Sequence, residues 1–307
     1  MGGALLWRGK LHYNRGVRKT TSRQMRKGML GLAVLCAVAG ACRAQQAPAA
    51  SGARILLLPR KIVTGERSTL AVLDVNGRLT PGVTVVFSNG DKVTTDATGR
   101  ALFVGPLNAG VIFASLEGRA GRVTSVILSP AEVPSSSLEV TLAPRVATVS
   151  DRFEISGHGF CGDADANKVS IGGVPGLVLA ASPAYLTVLP PADIDPGFAR
   201  VEVSCGARKA TAFTALFVSL ELDASGATLA PGEHRELTVR VRGSTAKINL
   251  EARNLAPDVA DLQGGTTVRA ASSGGADNVA HFALQGKQHG SFLISIRLVA
   301  PLVTPRP

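Results

Sequence analysis

From Arg54 onward apolar and polar residues alternate in short runs, and each run stops at a turn rich in glycine, proline or asparagine. The first runs are Ile55–Leu58, Thr69–Leu73, Val83–Ser88, Lys92–Thr95, Ala101–Val104, Val111–Leu116 and Val123–Leu128, broken at Asn76-Gly77, Asn89-Gly90 and Asn108-Ala109-Gly110. A second set follows: Leu138–Leu142, Arg152–Ser156, Lys168–Ile171, Leu177–Leu179, Tyr185–Leu189, Ala199–Ser204 and Ala212–Val218. The third comprises Leu237–Val241, Ile248–Ala252, Thr267–Ala270, Ala280–Leu284 and Ser291–Leu298. A period of two marks strands with one face in a core and the other in water. No ten-residue window after Ala53 sustains the helical period, and strands at this spacing predict β-sandwiches and leave no room for a βαβ unit.

The breaks therefore predict an all-β chain of three sandwiches in series, 54–129, 138–220 and 221–303, with a tail at 304–307. The segment 130–137, P-A-E-V-P-S-S-S, reads as a linker that its two prolines make semi-rigid. In Leu237-Thr238-Val239-Arg240-Val241-Arg242 both arginines share the polar face, which predicts a half-buried strand with a solvated basic edge, a device against edge-to-edge pairing.

Residues 1–44 read differently. Arg26-Lys27 precedes the apolar run Gly28–Ala41, which ends in small residues. That succession is the pattern of a secretory signal peptide, and the run is shorter than the ~20 residues that span a bilayer. Met1–Gln24 is basic and aperiodic, so Met25 is the expected start of translation. Cleavage is expected between Ala41 and Gln45. Ala39-Gly40-Ala41-Cys42 resembles a lipobox with Ala in place of the usual Leu or Val, which offers Cys42 for lipidation as the alternative to a soluble product. Residues 45–53 read as a flexible tether.

The leader also explains the charge. The formal charge is +11, but nine Lys/Arg and no Asp or Glu lie before Gln45, and what remains is 24 Lys/Arg against 22 Asp/Glu. A nucleic-acid footprint is thereby excluded. Aromatic residues are 4% and the sole tryptophan is Trp7, so stacking platforms are scarce.

Catalytic signatures are missing from the sequence. There is no G-x-S-x-G elbow, H-E-x-x-H pair, Walker loop or C-x-x-C pair after Ala44, and His158, His234, His281 and His289 are far apart. Gly157-x-Gly159-x-x-Gly162 matches a dinucleotide fingerprint in letters, yet Asp163-Ala164-Asp165-Ala166-Asn167 leads into a strand where the chemistry needs a helix. Asp163, Asp165 and Asn167 also imitate a calcium loop, but Lys168 stands where glycine is required and Val174 where a bidentate glutamate is required. Asp74, Asp91 and Asp96 are read as turn formers, and His158 as a turn histidine.

Two resemblances sharpen the picture. Phe153 and Ile155, the corner Gly157-His158-Gly159-Phe160 and the hairpin V-S-I-G-G-V-P at 169–175 resemble the immunoglobulin-like IPT or TIG domain, over about 138–220. Asn76-Gly77, Pro81-Gly82-Val83-Thr84-Val85-Val86-Phe87 and Thr95-Asp96-Ala97-Thr98-Gly99-Arg100-Ala101 resemble the invasin-type bacterial immunoglobulin-like repeat, over about 54–129. The first resemblance implies a binding and spacing module, the second a stalk segment of a surface protein. The third sandwich is immunoglobulin-like only in a general sense.

Cys161 and Cys205 are the cysteines inside the folded region of a chain read as exported, and a disulfide between them is expected. In an immunoglobulin-like sandwich their two strands lie in opposite sheets and run in the same direction, which brings both cysteines to one end. Loops at one end of such a sandwich are the default binding surface. The expected contact tip is 159–168 with 206–209, and its named residues are Asp163, Asp165, Asn167, Lys168 and Arg208.

The sequence thus predicts a non-catalytic protein of the periplasm, cell surface or exterior whose modules bind a protein or glycan partner, with no cofactor and no bound metal. No integral span is expected in the mature chain. The alternatives are a spacer or scaffold positioning an envelope assembly, and an accessory module of a secreted polysaccharide-degrading system.

Overall fold

The computed structural model describes residues 5–10, 52–133, 137–223, 229–272 and 277–299. The export segment with Cys42, most of the tether and the tail 304–307 lie outside the described residues. Apart from one 3-10 turn at Pro130–Glu132 in the linker, the described elements are all strands.

Strand β1 (Leu5–Lys10) precedes the first unit, which comprises β2 (Arg54–Leu57), β3 (Lys61–Val63), β4 (Arg67–Asp74), β5 (Thr84–Phe87), β6 (Lys92–Thr94), β7 (Arg100–Val104), β8 (Gly110–Leu116) and β9 (Arg122–Leu128). One sheet runs β3-β9-β8-β5-β6 and the other pairs β2, β4 and β7. Between them Ile62, Leu70, Val72, Val85, Phe87, Phe103, Ile112 and Ile127 form the core. Its turns are closed by aspartates, as read from the sequence. The Asp74 carboxylate accepts the amides of Asn76 and Arg78, and Asp96 accepts those of Thr98 and Arg100. The Thr98 hydroxyl also donates to Asp96 and holds its carboxyl below the ordinary range.

The middle unit contains β10 (Glu139–Leu142), β11 (Val146–Thr148), β12 (Phe153–His158), β13 (Asn167–Ile171), β14 (Val174–Ser182), β15 (Tyr185–Leu189), β16 (Gly197–Cys205) and β17 (Arg208–Phe217). Sheet order is β10-β12-β15-β14-β13-β16-β17-β11, and β14 serves both faces of the sandwich by pairing with β13 through Val174–Gly176 and with β15 through Leu177–Ser182. In both units the other pairings are antiparallel, while an early strand and the last strand run parallel, β3 with β9 and β11 with β17. This is the immunoglobulin-like arrangement.

The chain enters the third unit with only Val218 between β17 and the next strand. Its strands are β18 (Ser219–Leu222), β19 (His234–Arg242), β20 (Asn249–Asn254), β21 (Ala260–Gln263), β22 (Thr267–Arg269), β23 (Ala271–Ser272), β24 (Asn278–Gly286) and β25 (Ser291–Val299). They form one sheet around β18-β19-β24-β21 and another ordered β25-β20-β22, and β1, from the segment read in the sequence as an aperiodic leader, pairs with the outer side of β25. Here the structure corrects one expectation. Arg240 and Arg242 do lie on the exposed face of β19, but β19 is internal, flanked by β18 and β24, and therefore has no edge to protect. Both arginines reach instead across to Glu221 on β18, the closer pair being Arg242 at 2.8 Å.

Packed side chains make both joints between units. Strand β4, T-L-A-V-L at its centre, is buried on both faces, because Ala71 and Leu73 turn away from their own core and pack with Leu179 and Ala180 of β14. The backbones meet there as well, through a bridge between Thr69 and Ala181. Between the middle and third units the cores are continuous, and the Thr245 amide donates to the Ala192 carbonyl at 2.7 Å. Gly243 lies so near Ser150 that a Cβ would fall 2.2 Å from the serine Cβ.

Candidate binding surfaces of the middle unit

The loop after β12 carries the residues expected to form a contact tip, and the structure places most of them at the joint with the first unit. Cys161 is bonded to Cys205, with Cα atoms 5.7 Å apart. Asn167 is buried and organises the loop: its carboxamide accepts the Cys161 amide at 2.9 Å and donates to the carbonyls of Cys161 and Asp163 at 2.7 and 2.8 Å. The Thr69 hydroxyl of β4 donates to the Gly162 carbonyl at 2.8 Å and accepts the Ala164 amide at 3.0 Å. Asp165 takes one nitrogen of Arg100 at 2.8 Å. That guanidinium, only 8% exposed, sends its other terminal nitrogen to the Val178 carbonyl. Asp163 is exposed and caps the turn by accepting the Asp165 amide. Arg208 folds back to donate to the Cys205 sulfur at 3.2 Å.

Of the expected contact residues, Lys168, with the buried Asn167 beneath its edge, borders a larger free surface, the outer face of β13, β16 and β17. The antiparallel register sets Lys168 opposite Ser204 and Ser170 opposite Glu202; across the next pair Arg200 faces Phe213, Glu202 faces Thr211 and Ser204 faces Lys209. A shallow groove of about 470 Å³ runs over this face. Arg200 and Glu202 are ion-paired at 2.8 Å, and Glu202 also accepts from Ser170 at 3.4 Å.

At one end of the face Phe198 and Phe213 stand together. Their rings are stacked at 13° with centroids 5.3 Å apart, yet they are 79% and 55% exposed. Phe198 lies diagonal to Phe213, one step from the Arg200–Phe213 pair, where long side chains of adjacent strands touch. An exposed aromatic pair keeps in water the area that burial normally removes, and a contiguous exposed apolar surface is the informative exception on a soluble face. The sequence held this signal: Ala199, Val201, Val203 and Cys205 point inward, so Phe198 falls on the solvent phase of its strand.

Such a face offers apolar rings beside a carboxylate, a guanidinium, two ammonium groups and three hydroxyls. Among the described residues no three His, Cys, Asp or Glu side chains converge as a metal-ligand set. No helix of the described residues is long and apolar enough to cross a membrane.

No protein-family model matches the chain, and no curated protein matches it in sequence. Solved structures similar to parts of it include an auxiliary nutrient binding protein of Bacteroides thetaiotaomicron, 18% identical over 29% of this chain and 23% of that one, with a TM-score of 0.25. A Bacteroides ovatus mixed-linkage glucan utilization locus protein, SGBP-B, in complex with a mixed-linkage heptasaccharide, is 12% identical over 78% of this chain and 72% of that one, with a TM-score of 0.21. The N-terminal four Ig domains of Dscam1 are 11% identical over 78% and 73%, with a TM-score of 0.26. This chain thus spans about a quarter of the first of these proteins. At such scores the fold rests on the strand pairing of the chain itself, and its function on the chemistry of its surfaces.

Proposed function

We propose that this is an exported, non-catalytic recognition protein of the cell envelope, and that the outer face of β13, β16 and β17 binds a glycan. The stacked and exposed Phe198–Phe213 pair beside the Arg200–Glu202 groove carries this reading. A sugar ring presents an apolar C–H face and a rim of hydroxyls. Aromatic faces take the first, while a carboxylate and guanidinium fixed by their own ion pair take the second without reorganising. The rigid joints favour a second reading, a spacer that positions a partner, and binding decides between the two.

The test is affinity of the exported protein for a panel of immobilised polysaccharides. Replacing Phe198 and Phe213 together by serine is expected to weaken the strongest interaction by about 10–100-fold, the loss of about 1.4–2.8 kcal/mol. Melting should be unchanged, because both rings are exposed. Absence of binding across the panel would leave the spacer reading.

Export has its own measurement. Intact mass of the protein from envelope fractions should show a chain beginning between Ala41 and Gln45, and added lipid mass on Cys42 would mark a lipoprotein. A product that retains Met25–Gly40 sinks the reading.

A further inference from the structure

On the opposite side of the middle unit, where its β10-β12-β15 sheet meets the first unit, lies a second cleft of about 700 Å³. Arg60 comes from the β2–β3 turn of the first unit; Arg145 and the Asp151-Arg152 turn flank the opening; Glu154, Ser156 and Tyr185 form its floor. Cross-strand register sets Ser156 directly opposite Tyr185.

Two features single out this cleft. Tyr185 is 3% exposed, and its hydroxyl, closed off from solvent beside Glu154 and Arg60, makes no well-formed hydrogen bond with either. A buried polar group left unbonded costs about 1–3 kcal/mol, so an unpartnered hydroxyl in a cavity floor calls for an explanation. Burial, reinforced by the Glu154 carboxylate, holds the phenol well above its ordinary range and keeps its proton available for donation. The second feature is charge. Arg60 is neutralised by Glu154 at 2.9 Å, whereas among the described residues neither Arg145 nor Arg152 has an ion-pair partner.

We infer that this cleft is a binding site for an acidic sugar, a hydroxylated ring carrying a carboxylate. A bare anion would meet Arg145 and Arg152 but leave the hydroxyl-binding groups Glu154 and Ser156 unused. A neutral sugar would leave both guanidinium groups unused. A uronate satisfies both: its carboxylate faces the two free arginines in the bidentate geometry that guanidinium favours, and its hydroxyls meet Ser156 and Glu154, whose carboxylate the buried Tyr185 hydroxyl lies beside and helps to position. The site is distinct from the phenylalanine face and does not depend on it.

Calorimetric titration of the full mature chain with trigalacturonate, maltotriose, triglutamate and inorganic phosphate tests the assignment. Trigalacturonate is expected to bind saturably, and the other three at least tenfold more weakly. Combining Arg145→Gln with Arg152→Gln should weaken trigalacturonate at least tenfold. Tyr185→Phe should weaken it three- to tenfold while melting at the same or a higher temperature, since it deletes an unbonded buried hydroxyl; a merely structural tyrosine would show no loss of binding. Phe198→Ser should leave this titration unchanged, which separates the site from the glycan face. Absence of saturable trigalacturonate binding, equal affinity for phosphate or triglutamate, or unaltered affinity in the arginine and tyrosine variants would overturn the assignment.

Discussion

Replacing Cys161 and Cys205 by alanine is expected to cost the middle unit about 4 kcal/mol. The bond closes a loop with a sequence separation of 44, and restricting an unfolded chain by a loop of that length is worth roughly that much by the chain-entropy estimate. Both cysteines belong to the shared core, Cys205 buried and Cys161 packed against it, so part of the loss comes from packing as well. For the first and middle units melting together, a body of about 150–250 residues, the unfolding midpoint should fall by roughly 8–16 °C. Adding reductant to the natural protein should give a similar fall. Free thiols alkylated at both positions in natively exported protein, or a midpoint unaffected by the double substitution, would remove the bond from the account.

Gly162→Ala should have an effect of similar size, at a different place. A Cβ there would lie 1.8 Å from the Arg67 carbonyl oxygen, a backbone atom of β4 that cannot swing aside as a long side chain could. The two units must separate locally, which strains or breaks the Thr69 hydrogen bonds to Gly162 and Ala164 and the grip of Arg100 on Asp165 and Val178. Forced overpacking costs about 1–3 kcal/mol and each lost hydrogen bond about 1 kcal/mol more, so about 3–5 kcal/mol is expected. Its signature is lost cooperativity: the first unit should melt in a separate, earlier step, while the natural protein melts the two together. Gly121→Ala, where the new methyl meets nothing within 4 Å, is the control. A single unshifted transition for Gly162→Ala would mean that the joint does not couple the units.

Much of the architecture was legible because a strand writes its burial into the sequence with period two. The inward phase of Ala199, Val201, Val203 and Cys205 located both a strand and one end of the disulfide. The joints were less legible, since they depend on residues distant in sequence. Nothing local to Gly162 announces that Arg67 will lie against it, and Asp165 reads as a solvent-facing turn residue until Arg100 is brought beside it. One clue was available in Thr69-Leu70-Ala71-Val72-Leu73, a run without polar alternation, as a strand covered on both faces should show. For the candidate site, average composition was a blunt guide: an aromatic content of 4% says that stacking surfaces are scarce, and says nothing of two phenylalanines meeting on adjacent strands. The acidic-sugar cleft had no sequence signal, because Arg60, Arg145, Glu154 and Tyr185 are gathered from four separate segments.

The parallel ladders β3–β9 and β11–β17 matter most when the molecule is under tension. Pulling on opposite ends of a unit drags two parallel strands past one another, so the bonds of the ladder are loaded together in shear, where an antiparallel hairpin would unzip one bond at a time. In the middle unit that ladder ties Val146, Ala147 and Thr148 to Ala215, Leu216 and Phe217. Should it yield, the disulfide still withholds the chain between Cys161 and Cys205, roughly 150 Å of contour length at about 3.4 Å per residue. A chain built this way would pass tension along its length with little give, and the middle unit would act as a link whose greatest length is set by a covalent bond.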